Sequence, residues 1–134
     1  MFCMRSAGHE TILVVDDEPV LRSLCETILS HYGYRVVSAF DGEDAIHLLS
    51  GRPELAIDLA LLDVIMPAMS GPELAVELQR LRPGLQVLFM SGYPDESGRL
   101  IGRDQPLLRK PFTSDALISK VRELLAGLHI RPSE

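Results

Sequence analysis

The sequence has few cysteines, no long apolar run and no cluster of basic residues, and each absence excludes a class of protein. Of its two cysteines, Cys3 lies near the N-terminus and Cys25 lies within a helical pattern, so neither a disulfide framework nor a zinc site is supported. We therefore expect a reducing compartment. The apolar runs are far shorter than the roughly 20 residues that span a bilayer, and the N-terminal MFCMRSAGHE lacks the apolar core of a signal peptide. The sequence predicts a cytoplasmic protein with no membrane insertion.

The charge balance is acidic, since 19 Asp and Glu residues outnumber 13 Lys and Arg residues for a net charge of −6. The basic residues are scattered, so no nucleic-acid partner is indicated, and acidity of this size mainly favours solubility. A length of 134 residues suits one domain with a substantial core. We expect one domain at 10–128, with a flexible N-terminal tail at 1–9 and a C-terminal tail at 129–134.

Short apolar runs alternate with helical patterns along the chain. Pro19 suits a first helical turn, Gly33 suits a helix end, and Ser70 with Glu73 forms a capping box. The predicted strands cover residues 12–15, 34–40, 58–63, 85–91 and 106–109, and helices are predicted after the first three and the fifth. Strands that alternate with helices predict a parallel sheet with helices on both faces.

Polar side chains stand where the predicted strands stop. Asp16 and Asp17 follow the first strand, Asp63 ends the third, Ser91 ends the fourth and Lys110 follows the fifth. These ends share one rim of a parallel sheet, which is where such sheets bind ligands. Three carboxylates without a counter-ion would raise one another's pKa and oppose folding of that rim. Because the cluster is rich in oxygen and has no His or Cys nearby, we expect it to bind Mg²⁺.

The same rim carries groups suited to phosphoryl chemistry. Lys110 supplies a point charge for a phosphoryl oxygen, and the Ser91 hydroxyl could donate to another. The remaining carboxylate is then free to act as the nucleophile, and Asp63, alone at the end of the third strand, is the best candidate.

Four linked motifs, VVDDEP, LLDVIMPAMSG, FMSGY and KPF, occur in the order typical of one family. With them the chain resembles the receiver domains of two-component response regulators, including those fused to hybrid histidine kinases, over residues 9–128. The resemblance implies a doubly wound (βα)₅ flavodoxin-like sheet with strand order 2-1-3-4-5. It also implies a cis peptide between Lys110 and Pro111.

The resemblance assigns a role to each residue of the rim. Asp63 is implied to be the phospho-acceptor, with Ser91 and Lys110 binding the phosphoryl group. Asp16 and Asp17 are implied to hold Mg²⁺ with Asp63 and the backbone carbonyl of Ile65, which completes the implied metal site. The implied partners are a sensor histidine kinase or a histidine phosphotransfer protein, together with an unknown downstream protein.

Three functions are compatible with these residues. The preferred one is a phosphorylation-switched receiver, monomeric or weakly dimeric, that is not an enzyme. A second is a phosphohydrolase of the haloacid dehalogenase type, but that family needs a second Asp two residues after the nucleophile, where this chain has Ile65. A third is a receiver-like interaction module that signals without phosphorylation. Because no output domain follows the last predicted helix, the chain is expected to act through its own surface or to be a receiver cut from a larger kinase.

The sequence departs from the family between the fourth strand and the last helix. Leu107 stands where many receivers have a Tyr or Phe three residues before the Lys, so that aromatic switch is absent. Tyr93 could place an aromatic ring near the site instead. Gly98 and Gly102 predict a stunted helix within residues 94–105. The face formed by that helix, the fifth strand and the last helix is therefore in doubt as an output surface, and the first helix is an alternative.

Most of these residues also have a purely structural interpretation. Asp16 and Asp17 could cap the first helix, and Glu18 is expected in its first turn, where it complements the helix dipole. Ser91 and Gly92 could form an ordinary turn. Loop and packing roles are expected for Met66, Pro67 and Met69, and surface positions for His9, His31, His47 and His129.

Overall fold

The computed structural model describes residues 10–92 and 105–127, which form five strands and four helices. The strands are β1 (Thr11–Val15), β2 (Arg35–Ala39), β3 (Leu59–Asp63), β4 (Gln86–Ser91) and β5 (Leu107–Arg109). The helices are α1 (Pro19–His31), α2 (Gly42–Gly51), α3 (Gly71–Leu81) and α4 (Ser114–Leu125). Each predicted strand and helix among these residues is confirmed within one or two residues. The weak helix and Tyr93 fall largely or wholly in 93–104, outside the described residues.

All five strands are parallel and follow the order β2-β1-β3-β4-β5. Val15, the last residue of β1, is in register with Ala39 of β2 and Leu62 of β3, so neighbouring strands end almost together. The predicted doubly wound sheet and its strand order are therefore confirmed. The common ending also brings the residues that follow β1, β3 and β5 to one edge.

The core lies on both faces of the sheet, which explains why the strands are apolar throughout. In β1, Leu13 and Val15 face α2 and α3, whereas Ile12 and Val14 face α1 and α4. All four of these side chains are completely buried. A strand covered on both faces needs no polar alternation, and this is the pattern of a central parallel strand.

Local capping fixes where the helices begin and end. The Asp41 side chain accepts the Asp44 backbone N–H at 2.8 Å, and Ser70 forms the predicted capping box with Glu73. Gly33 has a φ of +95°, the left-handed conformation that glycine adopts readily after a helix. Each cap satisfies backbone groups that a helix end leaves without partners.

Two details of α1 differ from the sequence pattern. Glu18 is the residue before the helix and not part of its first turn, and its side chain makes no capping hydrogen bond. Leu24 is 47% exposed although it follows the helical spacing of the apolar residues, because only one side of α1 contacts the sheet. In the described ranges 10–92 and 105–127, no helix is long and apolar enough to cross a membrane.

Candidate functional site

Three aspartates meet at the carboxyl end of the central strands. Asp63 is the last residue of β3, and Asp16 and Asp17 follow the adjacent β1. One carboxylate oxygen from each lies within 4.8 Å of the other two. Asp16 is fully buried and Asp63 is 7% exposed, whereas Asp17 is exposed. The cluster is therefore embedded in the protein on one side and open to solvent at Asp17.

Asp16 has one satisfied and one unsatisfied carboxylate oxygen. Its Oδ1 accepts the Glu18 backbone N–H at 2.9 Å, which forms a local turn before α1 and does not cap the helix, because Glu18 is itself the N-cap residue. Its Oδ2 is buried and has no hydrogen-bond partner among the residues that the structure describes. A buried carboxylate oxygen without a donor is costly, and a bound cation would satisfy it. Oxygen donors alone form the cluster, which fits Mg²⁺.

Lys110 provides the positive charge of the site. Its Nζ lies 3.1 Å from Asp63 Oδ1 and 3.7 Å from Asp16 Oδ2. Its backbone N–H donates to the Ser91 carbonyl at 2.8 Å, which ties the end of β5 to the end of β4. The peptide bond between Lys110 and Pro111 is cis, as the resemblance implies.

Burial raises the pKa of both inner aspartates. The pKa of Asp63 rises to about 6, first because the carboxylate is desolvated and second because the Asp16 charge is close, while Lys110 opposes the shift. Burial also raises the pKa of Asp16, against the Glu18 N–H and Lys110. The sequence predicts that mutual repulsion raises these values; repulsion contributes, but desolvation is the larger cause.

An open cavity of about 350 Å³ lies next to these charges. It is lined by Asp63, Ile65, Gly92 and Lys110. Asp63 and Lys110 thus face a space that can admit a small anionic group. Ser91 is 2% exposed and is not among the lining residues, so the structure places it beside the cavity wall through its backbone contact with Lys110.

Gly71 supports the site in a way that the sequence pattern does not reveal. A Cβ atom at this position would lie 2.3 Å from the backbone oxygen of Asp63 and 3.0 Å from Cα of Val64. The Gly71 N–H donates to the Val64 carbonyl at 2.9 Å. The capping box predicts that a helix begins here, but only the close approach of α3 to the end of β3 excludes a side chain.

Comparison with known proteins agrees with this geometry. The family model for the response regulator receiver domain matches residues 12–122. The chain belongs to this family. It is therefore a receiver domain of two-component signalling, in agreement with the motifs found in the sequence.

Relatives of this receiver domain include a sensor kinase, the receiver domain of a hybrid histidine kinase and a response regulator. The sensor kinase CckA of Brucella abortus is 34% identical over 124 residues, 89% of this chain, and the chain spans 13% of that kinase's length. The crystal structure of the receiver domain from hybrid histidine kinase CckA is 33% identical with a TM-score of 0.72, covering 86% of this chain and 98% of that one. The response regulator TrrA of Thermotoga maritima, solved in complex with Mg²⁺-BeF, is 31% identical with a TM-score of 0.73, covering 87% of this chain and 99% of that one.

Several residues to which the sequence gives no chemical role make packing or ring contacts in this receiver domain. Leu107 packs against the core on the α2 and α3 side of the sheet. Met66 is buried. The Met69 side chain packs on Gly42, where an added Cβ would lie 2.8 Å from the Met69 sulfur. His31 makes an edge contact with the Tyr32 ring at 5.4 Å. Met66 and Met69 have the structural roles that the sequence indicates, and His31 is exposed, as predicted.

Proposed function

We propose that this receiver domain accepts a phosphoryl group on Asp63 from a phosphohistidine of a sensor histidine kinase or a histidine phosphotransfer protein. The observation that carries the proposal is the position of Lys110 Nζ, which lies 3.1 Å from Asp63 Oδ1. Beside it, one carboxylate oxygen from each of Asp16, Asp17 and Asp63 lies within 4.8 Å of the other two. This arrangement supports Asp63 as the nucleophile, the three carboxylates as a cation site and Lys110 as the positive charge that binds the phosphoryl group.

The residues of the site divide the chemistry between them. A carboxylate oxygen of Asp63 forms a bond to phosphorus while the bond from phosphorus to the donor imidazole nitrogen breaks, and the imidazole keeps that electron pair and takes up a proton. We assign the contacts with the transferred phosphoryl oxygens to Lys110, which lines the cavity, and to Ser91, whose buried hydroxyl would turn towards the group. We assign Mg²⁺ to Asp16, Asp17, Asp63 and the backbone carbonyl of Ile65. When bound, Mg²⁺ neutralises charge that develops on the phosphoryl oxygens.

The relative TrrA supports the cation and the acceptor roles. It was crystallised with Mg²⁺-BeF, and beryllium fluoride resembles a phosphoryl group in shape and charge. The chain described here has the same fold and an oxygen-rich cluster at the carboxyl end of its sheet. A receiver-like module that signals without phosphorylation would not need this complete set of groups.

We infer that the protein is a phosphoryl acceptor and not a turnover enzyme. Ile65 stands two residues beyond Asp63, so no carboxylate is available there for the acid and base work of a dehalogenase-type phosphohydrolase. Phosphorylation is proposed to switch a protein-interaction surface for a downstream partner. We expect the protein to be a monomer or weak dimer and to be located in the cytoplasm.

Incubation with Mg²⁺ and a small acyl phosphate, followed by intact mass measurement, tests the proposal. The native chain should gain one phosphoryl group, and Asp63→Asn should gain none. Absence of an adduct on the native chain would overturn the proposal, and an equal adduct on Asp63→Asn would move the acceptor elsewhere. Steady hydrolysis of many phosphate esters would instead support the phosphohydrolase.

A further inference from the structure

Arg22 of α1 contacts the turn that carries two of the three aspartates. Its Nη1 donates to the backbone carbonyl of Asp16 at 2.6 Å, and its side chain is partly buried. Its own backbone N–H donates to the Glu18 carbonyl at 3.0 Å, within the beginning of the helix. The guanidinium therefore bridges from the first turn of α1 back to the end of β1.

Asp16 makes three hydrogen bonds in addition to its 3.7 Å ion pair with Lys110, and Arg22 supplies one of the three. Its N–H donates to the Ala39 carbonyl at 3.3 Å, and its Oδ1 accepts the Glu18 N–H at 2.9 Å. The Arg22 contact fixes the remaining backbone group, the carbonyl. That carbonyl belongs to the planar peptide between Asp16 and Asp17, so its direction also sets where the Asp17 backbone begins.

We propose that Arg22 is a positioning residue for the cation site, a role that rests on the proposed function. By holding the Asp16–Asp17 peptide, it keeps the exposed Asp17 carboxylate on the side of the turn that faces Asp63. Asp17 needs such support because it is the exposed member of the cluster, whereas Asp16 and Asp63 are confined by burial. The contact already restricts the Asp17 carboxylate before a cation binds, so cation binding costs less conformational entropy.

Positioning and electrostatics predict opposite effects for the loss of Arg22. A guanidinium near a cation site repels the cation, so if Arg22 acted only through its charge, its removal would strengthen Mg²⁺ binding. If it acts by fixing the turn, its removal weakens Mg²⁺ binding although a repelling charge is gone. The sign of the change therefore separates the two roles.

The test measures Mg²⁺ affinity by titration of backbone amide NMR signals in the native chain, Arg22→Ala and Arg22→Lys. Arg80→Ala serves as the matched control, because Arg80 is exposed and pairs with Glu77 on α3. Thermal unfolding in Mg²⁺-free buffer shows whether each variant is folded. We expect Mg²⁺ binding about tenfold weaker in Arg22→Ala, the lower end of the effect seen when residues that orient metal ligands are removed. Arg22→Lys should lie between Arg22→Ala and the native chain, since it keeps a donor but not the guanidinium geometry.

Each outcome decides the proposal. The proposal is overturned if a folded Arg22→Ala binds Mg²⁺ as tightly as the native chain or more tightly. It is also overturned if Arg80→Ala weakens Mg²⁺ binding as much as Arg22→Ala does. If Arg22→Ala does not fold, Arg22→Lys is tested in its place. Arg22→Lys that binds Mg²⁺ with the affinity of the native chain contradicts the positioning role. If Mg²⁺ shifts no amide signal of the native chain, the native chain does not bind Mg²⁺, and this result contradicts the proposed function itself.

Discussion

Asp63 combines two properties that conflict in an unliganded protein. The proposed phosphoryl transfer requires an ionised Asp63 carboxylate, yet this side chain is only 7% exposed and lies beside Asp16, and its pKa rises to about 6. Burial disfavours the charged form of any carboxylate. The cost falls on the folded state, because the unfolded chain leaves this side chain in water.

Without Mg²⁺, the stability of the native chain relative to Asp63→Asn should fall as the pH rises. The pKa of Asp63 lies above its ordinary value of 3.8, so the folded protein holds this proton more tightly than the unfolded chain. Stability is therefore lost between about pH 4 and 6, and the loss is complete above the folded pKa. We expect a change on the order of 1–3 kcal/mol in the unfolding free energy, measured by urea denaturation across a pH series.

Asp63→Asn is the reference because it keeps the size of the side chain but cannot ionise. Other carboxylates titrate in both proteins, so the difference between the two curves isolates Asp63 to a first approximation. A difference that stays constant from pH 4 to pH 7, or that grows in favour of the native chain, would contradict the raised pKa.

At the scale of the secondary-structure elements, Arg82 at the end of α3 joins three segments. Its Nη2 donates to the carbonyls of Leu49 at 3.1 Å and Arg52 at 3.0 Å, and its Nη1 donates to the Leu55 carbonyl. Leu49 and Arg52 lie at the end of α2, where helix carbonyls have no partners within the helix. One guanidinium thus closes the end of α2 and attaches the following loop to α3.

Arg82→Ala should destabilise the protein by about 1–3 kcal/mol, because it leaves partly buried carbonyls without a charged donor. Chemical denaturation measures this loss as a lower midpoint. Arg80→Ala is the control two residues away, where an exposed pair with Glu77 is expected to contribute about 0.5 kcal/mol or less. Equal losses in the two variants would show that the Arg82 hydrogen bonds contribute no more than a surface ion pair.

On the scale of the whole molecule, cation binding and folding are linked. The three carboxylates come from two strand ends that approach only in the folded sheet, so a cation that needs all of them binds the folded state alone. Ligands that bind only the folded state raise its stability in proportion to the logarithm of their concentration. The acidic rim should therefore make this protein more stable when Mg²⁺ is present.

Saturating Mg²⁺ should raise the unfolding free energy of the native chain, by about 2.7 kcal/mol at a hundred times the dissociation constant. Asp17→Ala should lose most of this gain, since it removes the exposed member of the cluster. Glu18→Ala should keep it, because the Glu18 side chain is exposed and lies outside the cluster. Denaturation with and without Mg²⁺ measures the gain, and an undiminished gain in Asp17→Ala would refute the role of Asp17.

The sequence by itself determined the order of the elements and the residues that end the strands. Continuous apolar runs indicated buried parallel strands, and Ser70 with Glu73 marked a helix start, because both signals depend on neighbours in the chain. The same patterns placed Asp16, Asp17, Asp63 and Lys110 on one rim. They could not show that Leu24 is exposed, since helical spacing does not tell how wide a face of α1 the sheet covers.

Only the tertiary structure decided how the rim is built. Desolvation, the main cause of the raised pKa of Asp63, depends on which atoms surround the carboxylate and not on the charge of its neighbours in sequence. The need for Gly71 arises because α3 passes close to the Asp63 carbonyl, and the contact of Arg22 arises because α1 turns its guanidinium back towards β1. Such distances are set by packing between elements, so a linear pattern can name the chemical groups of this site but not their burial or their support.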